Sequence, residues 1–452
     1  MGREQMVTKE RAQETPPLEP ETGFVPEPMT IAETGLDIGL LADLALKALY
    51  YEGTTTAGQL GSLLALSQPV MQEVMEFLNR GKLCEVLGSE GHGPTSYRYS
   101  LTGSGVARAA AAFERNMYVG PAPVPIADYV NQVRQQSISH VRFDPPAVEE
   151  ALAKLVLSPE TRKRIGKAVA SRRSTLIYGA SGNGKSTVAR RLGEALSGCV
   201  LIPHAIDVYG HIVRLFDPSK HQQAQDADRP SPAPRRRDRR WRPAARPAVV
   251  AGGELTHYSL ELVFNDQSKV YEAPLQMKAN GGILIIDDLG RQQMSAVALL
   301  NRWIVALEGG VDHLTLHTGQ TIEVPFDVIP IFSTNLNPED LADEAFLRRI
   351  RYKVEIPNPT EDEFRAIFDR VGREYGLYIE GPVVDHLLTR WYRSVNRELR
   401  GCHPRDLVEA VVDAAGYEGS RAAFTHETLD EACRTYFLGA VDEKSGRQAG
   451  KP

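Results

Sequence analysis

Thr175-Leu176-Ile177-Tyr178-Gly179-Ala180-Ser181-Gly182-Asn183-Gly184-Lys185-Ser186 is the stretch that decides the fold. Its first four residues form a short apolar run that reads as a buried strand, and Thr187 to Leu196 behind it reads as a helix. The segment between them matches G-x-x-x-x-G-K-[ST]. Such glycines let successive backbone N–H groups converge on phosphate oxygens, and the following helix adds its positive end. Gly179, Ala180, Ser181, Gly182, Asn183, Gly184, Lys185, Ser186 and Thr187 are therefore the expected phosphate-binding set. Lys185 is expected to reach the β- and γ-phosphates, and the Ser186 hydroxyl to hold Mg²⁺.

A phosphate loop needs a partner that ligates the metal and activates water. Gly281-Gly282 is followed by Ile283-Leu284-Ile285-Ile286, apolar at every position as a central parallel strand should be, and then by Asp287-Asp288. Carboxylates at a strand's C-terminal end lie where open α/β sheets bind ligands. Asp287 is expected to hold Mg²⁺ through water, and Asp288 to orient or deprotonate the attacking water.

With both motifs in place the chain resembles the AAA+ superfamily of ATPases over about Val141 to Leu438. The resemblance implies a parallel α/β sheet flanked by helices, then an all-α lid, with ATP and Mg²⁺ at the seam. It implies roles for residues at matching positions: Asn335, after Val328 to Thr334, as the polar sensor-1 residue; Arg348 or Arg349, in Asp343 to Ile350, as an arginine finger; and Arg405, in Gly401-Cys402-His403-Pro404-Arg405, as sensor-2. Most relatives carry Asp-Glu where this chain has Asp287-Asp288, so slow hydrolysis or a binding-only, nucleotide-gated scaffold is an alternative. The alternation around Leu314 to Pro325 predicts a β-hairpin before the sensor-1 strand. That is similar to the hairpin-insert branch containing MoxR-like chaperones, magnesium chelatase and enhancer-binding activators, although the activators' Gly-Ala-Phe-Thr-Gly-Ala loop is absent. Tyr271 either faces a central channel or packs on the sheet.

Working towards the N-terminus, apolar periodicity from Asp37, capping clusters at Thr54 to Thr56 and Ser67, alternation at Leu83–Leu87 and Tyr97–Leu101, and a helix opened by Thr102 resemble a winged helix. Between Thr30 and Tyr118 it carries nine acids against six bases, and its third helix holds Glu73 and Glu76. This favours protein contact over DNA. The expected organisation is a disordered arm at 1–29, the winged-helix-like unit at 30–118, a linker at 119–139, the nucleotide-binding α/β unit at 140–356, the helical lid at 357–440 and a disordered tail at 441–452. Within the α/β unit, 218–247 reads as a solvated Pro/Arg-rich insertion, where seven arginines from Arg235 to Arg246 crowd together without apolar periodicity.

The chain has 452 residues, 42% hydrophobic and 24% charged, with a formal net charge of −6. These values suit a multi-domain globular protein and offer no global attraction for nucleic acid. No apolar run spans a membrane and no secretory signal is read, so a cytoplasmic protein without membrane insertion is expected. Cys84, Cys199, Cys402 and Cys433 lie too far apart to suggest a disulfide framework or a zinc cluster. The expected function is ATP hydrolysis by a homo-oligomeric ring that remodels a client protein complex, in the manner of MoxR-like proteins. The alternative is a DNA-associated ATPase that uses the winged helix and the arginine-rich loop.

Overall fold

The computed structural model describes residues 24–89, 96–141, 143, 145–224, 236–341 and 347–437. The N-terminal unit opens with a single helical turn at Ile31–Thr34 and continues into α1 (Ile38–Glu52), whose first turn is capped by the Asp37 carboxylate accepting the Gly39 N–H. After β1 (Thr55–Thr56), Thr56 and Gln59 form a reciprocal capping box that starts α2 (Ala57–Leu63). Then come α3 (Gln68–Arg80), the antiparallel pair β2 (Cys84–Ser89) and β3 (Tyr97–Leu101), and α4 (Gly103–Arg115), capped by Thr102. The short β1 adds to β3, an element the sequence reading did not contain.

Three sequence expectations are corrected beyond this unit. Residues 24–28, assigned to a disordered arm, hold ordered contacts: Asp238 N–H donates to the Val25 carbonyl, Glu27 N–H to the Arg236 carbonyl, and Ser67 Oγ to the Pro28 carbonyl. The linker at 119–139 contains β4 (Val124–Pro125), paired in parallel with a later strand, and α5 (Ile126–Gln135), which buries Tyr129 and Val133. A proline-rich run does not exclude a sheet-edge strand, because an edge position leaves one row of backbone groups unpaired.

The third correction is the arginine-rich insertion. Residues 225–235 lie outside the described set, but Trp241 is buried, and so is the Arg240 guanidinium, which pairs with Asp238 and donates to the Thr34 and Pro123 carbonyls. Arg239 reaches Glu27 and the Leu66 carbonyl. These arginines fasten the N-terminal unit to the rest of the chain. Most of their partners, the Thr34, Leu66 and Pro123 carbonyls and Glu27, are distant in the chain and leave no periodicity to read.

The chain next forms α6 (Pro145–Ala153), α7 (Pro159–Ala170), β5 (Thr175–Tyr178) and α8 (Lys185–Glu194). An unforeseen β region follows: β6 (Cys199–Pro203), β7 (Ala205–Val208), β8 (His211–Arg214) and β9 (Trp241–Ala245). β10 (Ala248–Ala251) returns to the main sheet, and β11 (Val263–Asn265) and β12 (Val270–Glu272) leave it again. Then come β13 (Gly282–Ile286), α9 (Ala296–Gly309), the hairpin β14 (Val311–Thr315) and β15 (Thr321–Pro325), β16 (Val328–Thr334) and β17 (Tyr352–Glu355).

The main sheet is wholly parallel, in the order β10-β13-β16-β5-β17. Alternate residues of its strands feed opposite cores. Ile177, Ile283, Ile285, Ile329 and Ile331 pack with Leu152, Ile165, Val188 and Leu192 of α6, α7 and α8. Leu176, Leu284, Ile286 and Phe332 pack with Leu299, Leu300 and Trp303 of α9. Burial on both faces explains why Ile283 to Ile286 has no polar alternation. The molecule is thus an α/β fold built on a parallel sheet flanked by helices.

A second, mixed sheet runs β11-β12-β8-β7-β4, and its Ala205, Ile212 and Val270 join the core of the N-terminal unit. Tyr271 in this sheet is 1% exposed and bonds to His317, so it packs on the sheet. The C-terminal unit comprises α10 (Glu361–Glu374), α11 (Gly381–Leu387), a π-helical turn at Leu388–Tyr392, α12 (His403–Glu418) and α13 (His426–Tyr436) around Phe364, Phe368, Trp391 and Leu407. The tail at 441–452 lies outside the described residues.

Candidate nucleotide site

The loop after β5 has the backbone its glycines predict, with φ of +140° at Gly179, +84° at Gly182 and +82° at Gly184. A β-carbon at Gly179 would lie 2.3 Å from the Ile356 carbonyl oxygen, and one at Gly182 would lie 2.5 Å from Cys402 Sγ, so two of the three are required twice over. Lys185 opens α8 and is 6% exposed. Its ammonium donates to the Ala180 carbonyl at 2.8 Å. Burial lowers its pKa, nearby Asp288 and Asp287 oppose that, and Arg400 and Arg291 add to it. An ammonium kept from water beside a helix N-terminus is a ready counter-charge for phosphate.

The acid pair meets this loop at the end of β13. Ser186 Oγ donates to Asp287 Oδ1 at 2.7 Å, and the Ser333 hydroxyl donates to the same oxygen. Asp288 is exposed, has a φ of +52°, and lines the same cleft as Lys185. Asn335 follows β16 next to β5, and its Oδ1 is enclosed without a hydrogen-bond partner among the described residues. Hard oxygen donors, one hydroxyl and one carboxylate, suit Mg²⁺, which keeps water and phosphate as its remaining ligands. Among the described residues no cluster of three His, Cys, Asp or Glu side chains offers an alternative metal centre.

The cleft has a volume of about 690 Å³ and lies between the sheet and the C-terminal helices. It is lined by the phosphate loop from Ser181 to Thr187 and by the apolar side chains Leu155, Leu157, Ile356 and Ile367, and Arg370 lines it too. Arg370 Nη2 donates to the Ala153 carbonyl at 3.1 Å, while its enclosed Nη1 has no partner among the described residues. These residues were missed from sequence, because apolar residues before a helix look the same whether they face a core or a ligand.

Asn183, expected within the loop whose backbone N–H groups meet phosphate, has its side chain engaged elsewhere. Its amide donates to the Pro357 carbonyl at 3.2 Å and to Asn358 Oδ1 at 2.9 Å, and its oxygen accepts the Gly401 N–H at 3.0 Å. It ties the loop to the helical unit. Arg405 lines the cleft from α12, with its guanidinium on Glu374 at 2.5 Å and near Glu409 at 3.8 Å. Neither Arg348 nor Arg349 lines the cleft. Arg349 Nε donates to Glu308 at 2.7 Å, Arg348 is exposed, and residues 342–346 before them lie outside the described set.

Comparison with known proteins adds little beyond this geometry. Residues 360–435, the helical unit, match a family described only as a domain of unknown function, DUF8689. No curated protein matches the chain. Among solved structures, NtrX from Brucella abortus in complex with ATP is 17% identical with a TM-score of 0.38, over 61% of this chain and 55% of that one. NtrX with ADP is 15% identical with a TM-score of 0.40, over 76% and 69%. RuvB, a Holliday junction branch migration motor from Thermotoga maritima, is 13% identical with a TM-score of 0.35, over 62% and 70%. This chain thus spans little more than half of the first, and at these TM-scores the likenesses carry no weight for function. Among the described residues no helix is long and apolar enough to cross a membrane.

Proposed function

We propose that this chain is an AAA+-type ATPase that hydrolyses ATP with Mg²⁺ in a homo-oligomeric ring and uses the cycle to remodel a protein complex. The observation that carries the reading is the meeting of Lys185, Ser186, Asp287 and Asp288 at one cleft of about 690 Å³ that also has apolar lining residues. Triphosphate on the loop and a base against the apolar side chains match that lining. Ser186 and Asp287 would hold Mg²⁺, which neutralises charge on the phosphates.

In this scheme Lys185 leaves the Ala180 carbonyl for phosphate oxygens. Asp288 takes the proton of the attacking water, and Asn335 Oδ1 accepts from that water or holds it. Arg405 contacts the phosphates by exchanging Glu374 for them. Arg348 or Arg349 serves a neighbouring subunit, which fits their position outside the chain's own cleft. The N-terminal unit acts as a protein-binding adaptor: α3 exposes Glu73 and Glu76, and Arg239 and Arg240 are engaged inside the chain. The DNA-associated alternative has no observation in its favour.

The test mixes an Arg348→Ala/Arg349→Ala protein, which keeps its own phosphate loop, with a Lys185→Ala protein, which keeps its finger. Each alone should be inactive and mixed rings should regain part of the Mg²⁺-dependent hydrolysis. Full activity of the double-arginine variant alone would remove the finger. No rescue in verified mixed oligomers would remove catalysis between subunits.

A further inference from the structure

The turn that carries the acid pair is gripped from two sides. On one side the Ser333 hydroxyl, fully buried, donates to Asp287 Oδ1 and accepts the Asp288 backbone N–H at 3.2 Å. The Ser333 carbonyl accepts the Leu289 N–H at 2.7 Å, and Thr334 Oγ1 donates to the Leu289 carbonyl at 2.8 Å. On the other side Gln292 donates to the Asp287 carbonyl and accepts the Gly290 N–H, both at 2.8 Å. Between them Asp288 sits at a φ of +52°, a conformation that a non-glycine residue holds when its surroundings impose it.

We infer that Ser333 is a positioning residue for hydrolysis, whose hydroxyl fixes the left-handed turn at Asp288 and with it the direction in which that carboxylate meets water. The inference rests on the hydrolase reading above. The hydroxyl is spent in both directions, its proton on Asp287 and a lone pair on the Asp288 N–H. The oxygen it binds is also the one that receives the Ser186 hydroxyl at 2.7 Å, so the residue spans the metal-holding acid and the water-facing one. It also joins both to β16, the strand that Asn335 follows. Alanine at 333 would leave the Asp288 N–H without its acceptor and loosen the turn at Asp288, while the phosphate loop keeps every contact. A displacement of about 1 Å at the reacting centre costs on the order of 10²-fold.

The experiment compares kcat, KM and equilibrium ATP affinity in wild type, Ser333→Ala, Asp288→Asn and the double variant, with a melting curve for each. Ser333→Ala should lower kcat roughly 10- to 100-fold, with ATP affinity within about 3-fold of wild type. Acting through Asp288, it should lower kcat by no more than about 2-fold further in the Asp288→Asn background. Equal fold losses in both backgrounds, or a wild-type kcat in Ser333→Ala, would overturn the inference while leaving the hydrolase reading intact. A wild-type protein that binds ATP but never turns it over would sink that reading and the inference with it. Should Ser333→Ala fail to fold, Ser333→Cys, nearly isosteric and a weaker donor, carries the same cycle.

Discussion

Lys47 in the N-terminal unit and Lys185 in the phosphate loop are both buried, 1% and 6% exposed, and burial is the main cause of a lowered pKa in each. Each also lies near acids, Lys47 near Asp43 and Lys185 near Asp287 and Asp288. Their surroundings differ. The Lys47 ammonium donates to the Asn116 carbonyl at 3.1 Å and to Asn116 Oδ1 at 2.6 Å, and Asp43 is itself paired with Arg108 and Arg115. Lys185 has one acceptor among the described residues, the Ala180 carbonyl, and faces a cleft. Burial by itself therefore does not mark a functional lysine. An open neighbouring volume, a glycine-shaped backbone and acids left facing that volume do.

The largest expected effect is at Asp288. Asp288→Asn should lower turnover on the order of 10²- to 10⁴-fold, since the amide cannot take the water's proton, while ATP affinity is kept. Single-turnover hydrolysis beside equilibrium binding checks this, and an unchanged rate would remove Asp288 as the base. Next comes Lys185→Ala. Loss of a charge-assisted hydrogen bond of about 1.5–3 kcal/mol should weaken ATP binding roughly 10- to 150-fold without lowering thermal stability. If stability fell and affinity did not, the two lysines would be alike after all.

Arg370→Ala tests whether that side chain serves the base or the phosphates. It should weaken ATP binding by roughly 10-fold, the worth of one charged donor, and leave inorganic tripolyphosphate binding unchanged. Titrating both ligands by calorimetry decides it, because an equal loss for both would place Arg370 with the phosphates.

The smallest effect belongs to Lys47→Met, which should leave ATP affinity unaltered and shift stability by no more than about 1 kcal/mol. Its signature is in pH. The folded-state pKa of Lys47 is lowered from 10.5 to about 8, so between these values the unfolded chain binds more protons and this group makes stability rise with pH. That rise should be missing from denaturation midpoints of the variant measured from pH 8 to 10.

Much of the site was legible beforehand because phosphate chemistry demands local sequence. A loop that bends backbone N–H groups onto phosphate needs glycines at fixed spacing, and Gly179 to Ser186 advertises them. The buried strand before Asp287 shows itself through an unbroken apolar run. Arg240 went the other way. Seven arginines among prolines read as a solvated loop, yet Arg240 is buried on Asp238 and two remote carbonyls. Likewise the run from Gly120 to Pro125 read as a linker, although Val124–Pro125 is a strand and Tyr129 just beyond it is buried.

What the amino-acid order determined by itself is whatever short-range geometry dictates: the phosphate loop, the strand ending in Asp287-Asp288, the capping boxes and the hairpins. Tertiary structure alone decided which distant groups complete them. The Asn183 side chain reached Gly401 and Asn358, Arg405 settled on Glu374, Ser333 came under the acid pair, and Arg370 arrived in the lining of the cleft. The reason is physical. A hydrogen bond made between two separate elements depends on where those elements pack, and nothing in the spacing of either element records the other.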